Sequence, residues 1–191
     1  MNFELITPAA SLPLTLAETK QHLRVDFSDD DALIETLIGA AADAVEQMIN
    51  RVLINSTYAH YFPMFPSTDS ELELQAGVSS ITSVQYLDAD GALQTLDPAT
   101  YELGKGTVNC LRLANSQSWP TTLTHPEAVT VTVVAGFGAD RHSVPDSVKA
   151  AMKLLISHWY ENRESTVIGT ISGELPMAVH LLLSKHKVAY I

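Results

Sequence analysis

Apolar residues recur three and four positions apart in several stretches of the chain, and between those stretches they mostly alternate with polar ones. From Ser143 to Glu164, Val148, Ala151, Met152, Leu155, Ile156 and Trp159 fall on one face at helical spacing. A helix is predicted over about 145–163. Ser143 and Asp146 read as a capping box around Pro145, and Trp159 reads as a core anchor. Leu154 widens the apolar face, so this helix should be packed on most of its circumference. A second helix is predicted over about 30–50, where Leu33, Ile34, Leu37, Ile38, Ala41, Val45, Met48 and Ile49 make a broad face. Ser28 reads as its cap, with Asp29, Asp30 and Asp31 at its positive end. Gly39 and the alanines around it suggest close approach by a neighbouring element. Thr15 and Glu18 form a capping-box pattern for a short helix over about 15–23, and Val179, Leu182 and Leu183 mark a last one over about 176–184. Residues 1–13, with two prolines, read as an extended arm.

Between these helices the period changes to two. Tyr58, His60 and Phe62 alternate with Thr57, Ala59 and Tyr61 in the β-rich run from Val52 to Phe62, which Pro63 and Pro66 end. Short strands are predicted at Glu71–Leu74, Ile81–Leu87, Ala92–Leu96, Tyr101–Leu103 and Val108–Leu113. Asp88-Ala89-Asp90-Gly91 forms the turn of a hairpin. Ala128–Ala135 is the strongest strand, with Thr130, Thr132 and Val134 on one side and Val129, Val131 and Val133 on the other. The expected fold class is α+β: a helical core of long antiparallel helices, with an antiparallel β region inserted over about 56–135. All 191 residues are expected to form a single domain.

Composition narrows the function. The formal net charge is -11, and only 11 residues are Lys or Arg, which argues against a protein that coats nucleic acid. Cys110 is the single cysteine, so neither an internal disulfide nor a thiolate metal cluster is possible. The start, MNFELITPAASLPLTLAE, has an early Glu and no basic run, and no stretch reaches eighteen uninterrupted apolar residues. A soluble intracellular protein, with neither signal peptide nor membrane span, is the expectation.

No catalytic constellation emerges. The three aspartates lack the alternating ligands and closing glutamate of a calcium loop. The seven histidines include no pair four apart with a glutamate between them. His158, beside Trp159, reads as a packed or interface histidine. Cys110 reads as an inert buried thiol. No glycine-flanked serine elbow exists, Gly136-Phe137-Gly138 is not followed by a phosphate-binding helix start, and Lys105 stands isolated between glycines. No enzyme activity, cofactor or metal is expected. An extended arm, a hydrophobic C-terminal tail and broad-faced helices suit an assembly component better than a monomeric catalyst.

The chain resembles the head–tail connector proteins of tailed phages and prophages. The resemblance rests on LTLAETKQHLRVDFSDDDALIETLIGAAADAVEQMINRVL at Leu14–Leu53 and ITSVQYLDADGALQTLDPATYEL at Ile81–Leu103. It continues in SWP at Ser118–Pro120, VTVTVVAGFGA at Val129–Ala139, VPDSVKAAMKLLISHWYENRE at Val144–Glu164 and ELPMAVHLLL at Glu174–Leu183. It covers nearly the whole chain in order, and its specificity lies in that order and spacing. It implies a structural virion protein of the neck, assembled in the host cytoplasm, that forms a ring adaptor under the portal. The partners it implies are the portal protein, a stopper or tail-completion protein, and further copies of itself, twelve in the virion. DNA would pass through the ring without sequence-specific binding, and a neutral or acidic wall would let it slide. The family offers no catalytic residues. Related C-terminal segments reach the portal, which makes Val188, Ala189, Tyr190 and Ile191 the candidate partner-binding residues here.

Two other readings compete. One is a stopper or tail-completion protein, expected to be mainly β with a plugging loop. The other is a small hydrolase or carbohydrate-binding β module, with Tyr86, Trp119, Tyr101 and His125 around a sheet surface.

Overall fold

The computed structural model describes all residues except 1, 67–70, 107, 163–176 and 189–191. It has the mixed α+β fold expected, with helices bracketing two antiparallel sheets. The chain divides into two units: residues 1–9, 55–137 and 188–191 form one, and 10–54 with 138–187 the other.

The helical unit contains α1 (Leu16–Leu23), α2 (Asp31–Ile49), α3 (Asp146–Glu161) and α4 (Met177–Leu183). α3 packs against each of the other three helices. Its stripe Val148, Ala151, Met152, Leu155 and Ile156 is fully buried, and so are Ile34, Ile38, Ala41, Val45 and Ile49 of α2. The helical period therefore identified the core faces. Trp159 departs from that expectation: it is half-buried, because the fully buried stripe ends at Ile156. Gly39 departs as well. A methyl group added there would meet nothing within 4 Å among the described residues.

The helix starts show where local patterns hold. At α1 the capping box forms: Thr15 Oγ1 accepts the Glu18 N–H at 3.1 Å, and Glu18 Oε2 accepts the Thr15 N–H at 2.9 Å. At α2 the cap is Asp30 rather than Ser28, and no side chain caps it. The aspartates are engaged elsewhere: Asp31 pairs with Lys20 Nζ at 2.5 Å, and Asp30 Oδ2 accepts the Tyr160 hydroxyl. At α3 the expected capping box is absent. Pro145 is the cap residue, and Ser143 closes a 3-10 turn (Arg141–Ser143) whose N–H groups Asp140 Oδ1 accepts. Side chains already bound to another turn or helix cannot serve as caps. α2 ends at Asn50 in the left-handed conformation (φ 52°), and the Glu46 carboxylate accepts the Leu53 N–H at 2.7 Å just beyond it. Burial holds the Glu46 carboxyl above the usual carboxylate range.

The β unit contains a five-stranded sheet in the order β1-β2-β8-β4-β5. Its strands are β1 (Asn2–Thr7), β2 (Ser56–Phe62), β4 (Val78–Leu87), β5 (Leu93–Thr95) and β8 (Val129–Ala135). A second sheet runs β3-β7-β6, from β3 (Leu72–Glu73), β7 (Cys110–Leu113) and β6 (Tyr101–Gly104). The central strand β8 carries the alternation expected: Val129, Val131, Val133 and Ala135 are fully buried, and Thr130, Thr132 and Val134 half-buried. The hairpin turn between β4 and β5 is held by Asp88 Oδ1, which accepts the N–H groups of Asp90 and Ala92, with Gly91 at φ 81°. Gly136, at φ 151°, ends β8 where a side chain would collide with the Asn55 backbone 2.5 Å away.

The extended arm contains a strand. Asn2 to Leu5 pair antiparallel with Tyr61 to Tyr58, and a bulge precedes the pairing of Thr7 with Thr57.

Candidate functional site

No helix among the described residues is long and apolar enough to cross a membrane, and no group of three or more His, Cys, Asp and Glu could hold a metal ion. The Cys110 thiol is buried, 3.8 Å from the Gly104 carbonyl oxygen, and burial with the nearby Glu71 carboxylate pushes its pKa up to about 11. It is protonated at neutral pH and a poor nucleophile.

The first surface surrounds the C-terminal end. α4 buries Val179 and Leu183 and leaves Met177 and Leu181, one turn apart on another face, 86% and 76% exposed. The 3-10 turn that follows (Ser184–His186) is tied to the first turn of α3, where Ser147 Oγ lies 2.8 Å from His186 Nε2. A groove of about 310 Å3 opens beside it, lined by Gln47, Met48 and Asn50 at the end of α2 and by His180, Leu183, Ser184 and Lys187. Of the four tail residues singled out from the sequence, Val188 is half-buried, and Ala189, Tyr190 and Ile191 lie outside the described residues. The exposed Met177 and Leu181 were missed in the sequence. Leu181 falls between Val179 and Leu183 in a run of leucines, and composition alone does not separate the two faces.

The second surface is a groove of about 300 Å3 between Pro63–Pro66 and Trp119–Thr124. Phe65 is buried here. Trp119 stacks on it at 4.7 Å and 5°, and Tyr86 meets it edge-on at 5.7 Å. The structure thus brings Tyr86 and Trp119 onto one buried ring. It does not gather the rest of that set: Tyr101 is on the second sheet, and His125 Nδ1 accepts the Glu127 N–H in a loop. Stacking on Phe65 uses one face of the Trp119 ring, which makes the cluster a packing unit rather than an open platform.

The third surface is the outer edge of the five-stranded sheet. All six residues of β1 are exposed, including Phe3, Leu5 and Ile6 at 47%, 48% and 52%. Phe3 nevertheless lies over β2, with its ring 5.3 Å from that of His60 and 5.9 Å from that of Tyr58. His60 is completely buried and, among the described residues, neither ring nitrogen has a hydrogen-bond partner. Burial pushes its pKa down to about 4. On the other face of the sheet the Tyr61 hydroxyl donates to Glu4 Oε2 at 3.1 Å.

The family profile described as "Head completion protein" matches residues 14–180, from the residue before the α1 cap into α4. Among solved structures, a chain from the "Virion of native gene transfer agent (GTA) particle" is similar at a TM-score of 0.81 and 23% identity, covering 100% of this chain and 97% of that one. A chain from the "Neck of empty GTA particle computed with C6 symmetry" is similar at 0.80 and 22%, and one from the "Neck of native GTA particle computed with C12 symmetry" at 0.76 and 22%, with the same coverage. At such identities the likeness is one of fold. No curated protein matches the chain.

Proposed function

Because the chain belongs to the head completion protein family, we propose that this structural virion protein forms a ring adaptor in the neck, beneath the portal, and joins the DNA-filled head to the next neck or tail protein. The observation that carries the reading is the family match across residues 14–180, which spans α1, α2 and α3, the start of α4 and most of the β unit. The fold likeness to chains of gene transfer agent particles, two of them from the neck, supports it over the full length. In the reading, one face of the ring meets the portal and the other a stopper or tail-completion protein, with twelve copies on a twelve-fold portal. Such a ring needs heterologous contacts with a fixed rotation between neighbours. DNA crosses the lumen without being gripped, in keeping with a net charge of -11.

The portal contact is assigned to Val188, Ala189, Tyr190 and Ile191. Tyrosine and branched apolar side chains such as Tyr190 and Ile191 supply the contact area that dominates protein interfaces. The test is to mix full-length protein, and protein ending at Lys187, with tail-less heads bearing portals and count bound copies. Full-length chains should bind as a ring of twelve. The shortened chain should keep its melting temperature and lose docking. Equal occupancy by both, or a melting temperature lowered by many degrees, would refute the assignment of the tail. Absence of the full-length chain from the heads would refute the neck reading itself.

A further inference from the structure

Among the described residues, β1 pairs with one strand, β2. The contacts seen there are the ladder to β2, the Phe3 ring against Tyr58 and His60, and the Tyr61–Glu4 hydrogen bond. The rest of its unit begins only at residue 55, after the chain has run through α1 and α2. Between Thr7 and α1 lie residues 8–15, which include Pro8 and Pro13. Pro13 and Leu14 are buried just before the Thr15 cap, so the span between β1 and that anchor is residues 8–12. Five residues, drawn out, reach on the order of 17 Å, which is the distance over which β1 can be carried toward an adjacent copy.

The surface under β1 is specific. The β2 edge offers unpaired backbone groups and a pocket at Tyr58 and His60 that Phe3 fills. Without a strand there, a completely buried histidine would open to solvent. The strand that fits carries an aromatic residue on this face and polar residues on the other, and in this chain that strand is β1 itself. Edge strands of monomers are commonly protected by lysine or proline. β1 has neither, and it exposes Phe3, Leu5 and Ile6.

We propose that β1 is an exchange arm: in the assembled ring, Asn2–Thr7 of each copy pairs with β2 of the next copy. The inference rests on the neck-ring reading. Every contact of the exchanged arm duplicates one made within a single chain, so exchange is nearly neutral in intrinsic energy. Its direction is set by the effective concentration of the neighbouring acceptor. Free chains in dilute solution keep their own arm. Copies held side by side on a portal exchange, and because each donates one arm and accepts one, the contacts run head to tail and close with the ring.

The test uses Asn2→Cys and Tyr61→Cys, positions paired across the ladder. At the Cα separations of antiparallel pairs such residues can form a disulfide. Two singly substituted full-length chains are mixed, loaded on tail-less heads bearing portals, and oxidised. A disulfide between the two kinds of chain forms only if the arm of one lies on β2 of the other. Expected are covalent pairs on heads and none among the same chains free at low concentration. The doubly substituted chain should give intrachain bonds when free and a ladder of covalent oligomers on heads. Rings in which the doubly substituted chain carries intrachain bonds alone overturn the exchange and leave the neck reading intact. Heads that take up no copies of the unsubstituted chain overturn both.

Discussion

Tyr160, in the last turn of α3, donates its phenolic hydroxyl to Asp30 Oδ2, the cap residue of α2, at 2.5 Å across 130 positions of sequence. The contact joins one end of each of two helices that the β region separates along the chain. A hydrogen bond to a carboxylate contributes about 1.5–3 kcal/mol. Both side chains are half-buried, so water can replace part of it. Tyr160→Phe should cost about 1–2 kcal/mol, which lowers the melting temperature of a chain this size by roughly 2–8 °C. An unchanged melting curve would show that the bond contributes nothing net.

His60 predicts an acid limb in the stability profile. The rings next to it, Phe3 and Phe62, do not ionise. Its folded pKa, about 4, lies below the ordinary 6.5 because burial disfavours the charged form. Above pH 6.5 both folded and unfolded chains hold it neutral. As pH falls from 6.5 to 4, the unfolded chain takes up a proton that the folded chain refuses, and stability drops; below 4 this contribution is fully lost. The shift corresponds to about 3 kcal/mol. Urea titrations of the wild-type chain and of His60→Phe between pH 7 and 4 should diverge by that order. Parallel curves would mean that His60 protonates in place.

Gly39→Ala should stabilise the free chain. Glycine inside a helix costs about 1 kcal/mol relative to alanine, and the added methyl group meets nothing within 4 Å. Thermal unfolding of the isolated variant should shift up by a few degrees. If the same variant is then taken up poorly by heads, the face of α2 around Gly39 is one that a neighbouring copy approaches closely.

We expect one cooperative unfolding transition although the chain forms two units. Neither unit is continuous: the chain leaves the β unit after residue 9, re-enters it at 55 and leaves again after 137. Unfolding either unit releases both ends of a segment of the other. Calorimetry of the full chain should give one peak with equal calorimetric and van't Hoff enthalpies. Two resolved peaks would show independent domains.

What could be read from the sequence was whatever short-range physics determines. The valines of β8 and the α3 stripe ending at Ile156 follow from period alone, and the capping box of α1 is complete within four residues. The α3 cap was misread because Ser143 is engaged by Asp140, and the α2 cap because the helix starts from Asp30, whose carboxylate the distant Tyr160 engages, rather than from Ser28. β1 was read only as part of an extended arm because the polar–apolar alternation of Asn2 to Leu5 lapses at Ile6 and two prolines follow; the pairing with β2 makes it a strand. Trp159 continued the helical spacing past the point where burial is complete. The assembly surfaces were less legible still. Met177 and Leu181 are distinguished from Leu183 by exposure alone, and three of the four tail residues lie outside the described residues.

The strand order has a consequence for how the protein is made. β8 lies in the middle of its sheet, between β2 and β4, yet it is the last of the eight strands among the described residues to leave the ribosome. β1, the first of them, waits through residues 8–55 before its partner begins. Until residue 135 has been synthesised, β2 and β4 have no strand between them, and α2 lacks α3. Local helices can form early, but long-range pairings come late and their closure entropy slows them. A ribosome that stalls within the β region therefore holds a chain with neither unit complete, and its apolar strands stay open to the chaperones and proteases that survey nascent proteins until the final third arrives.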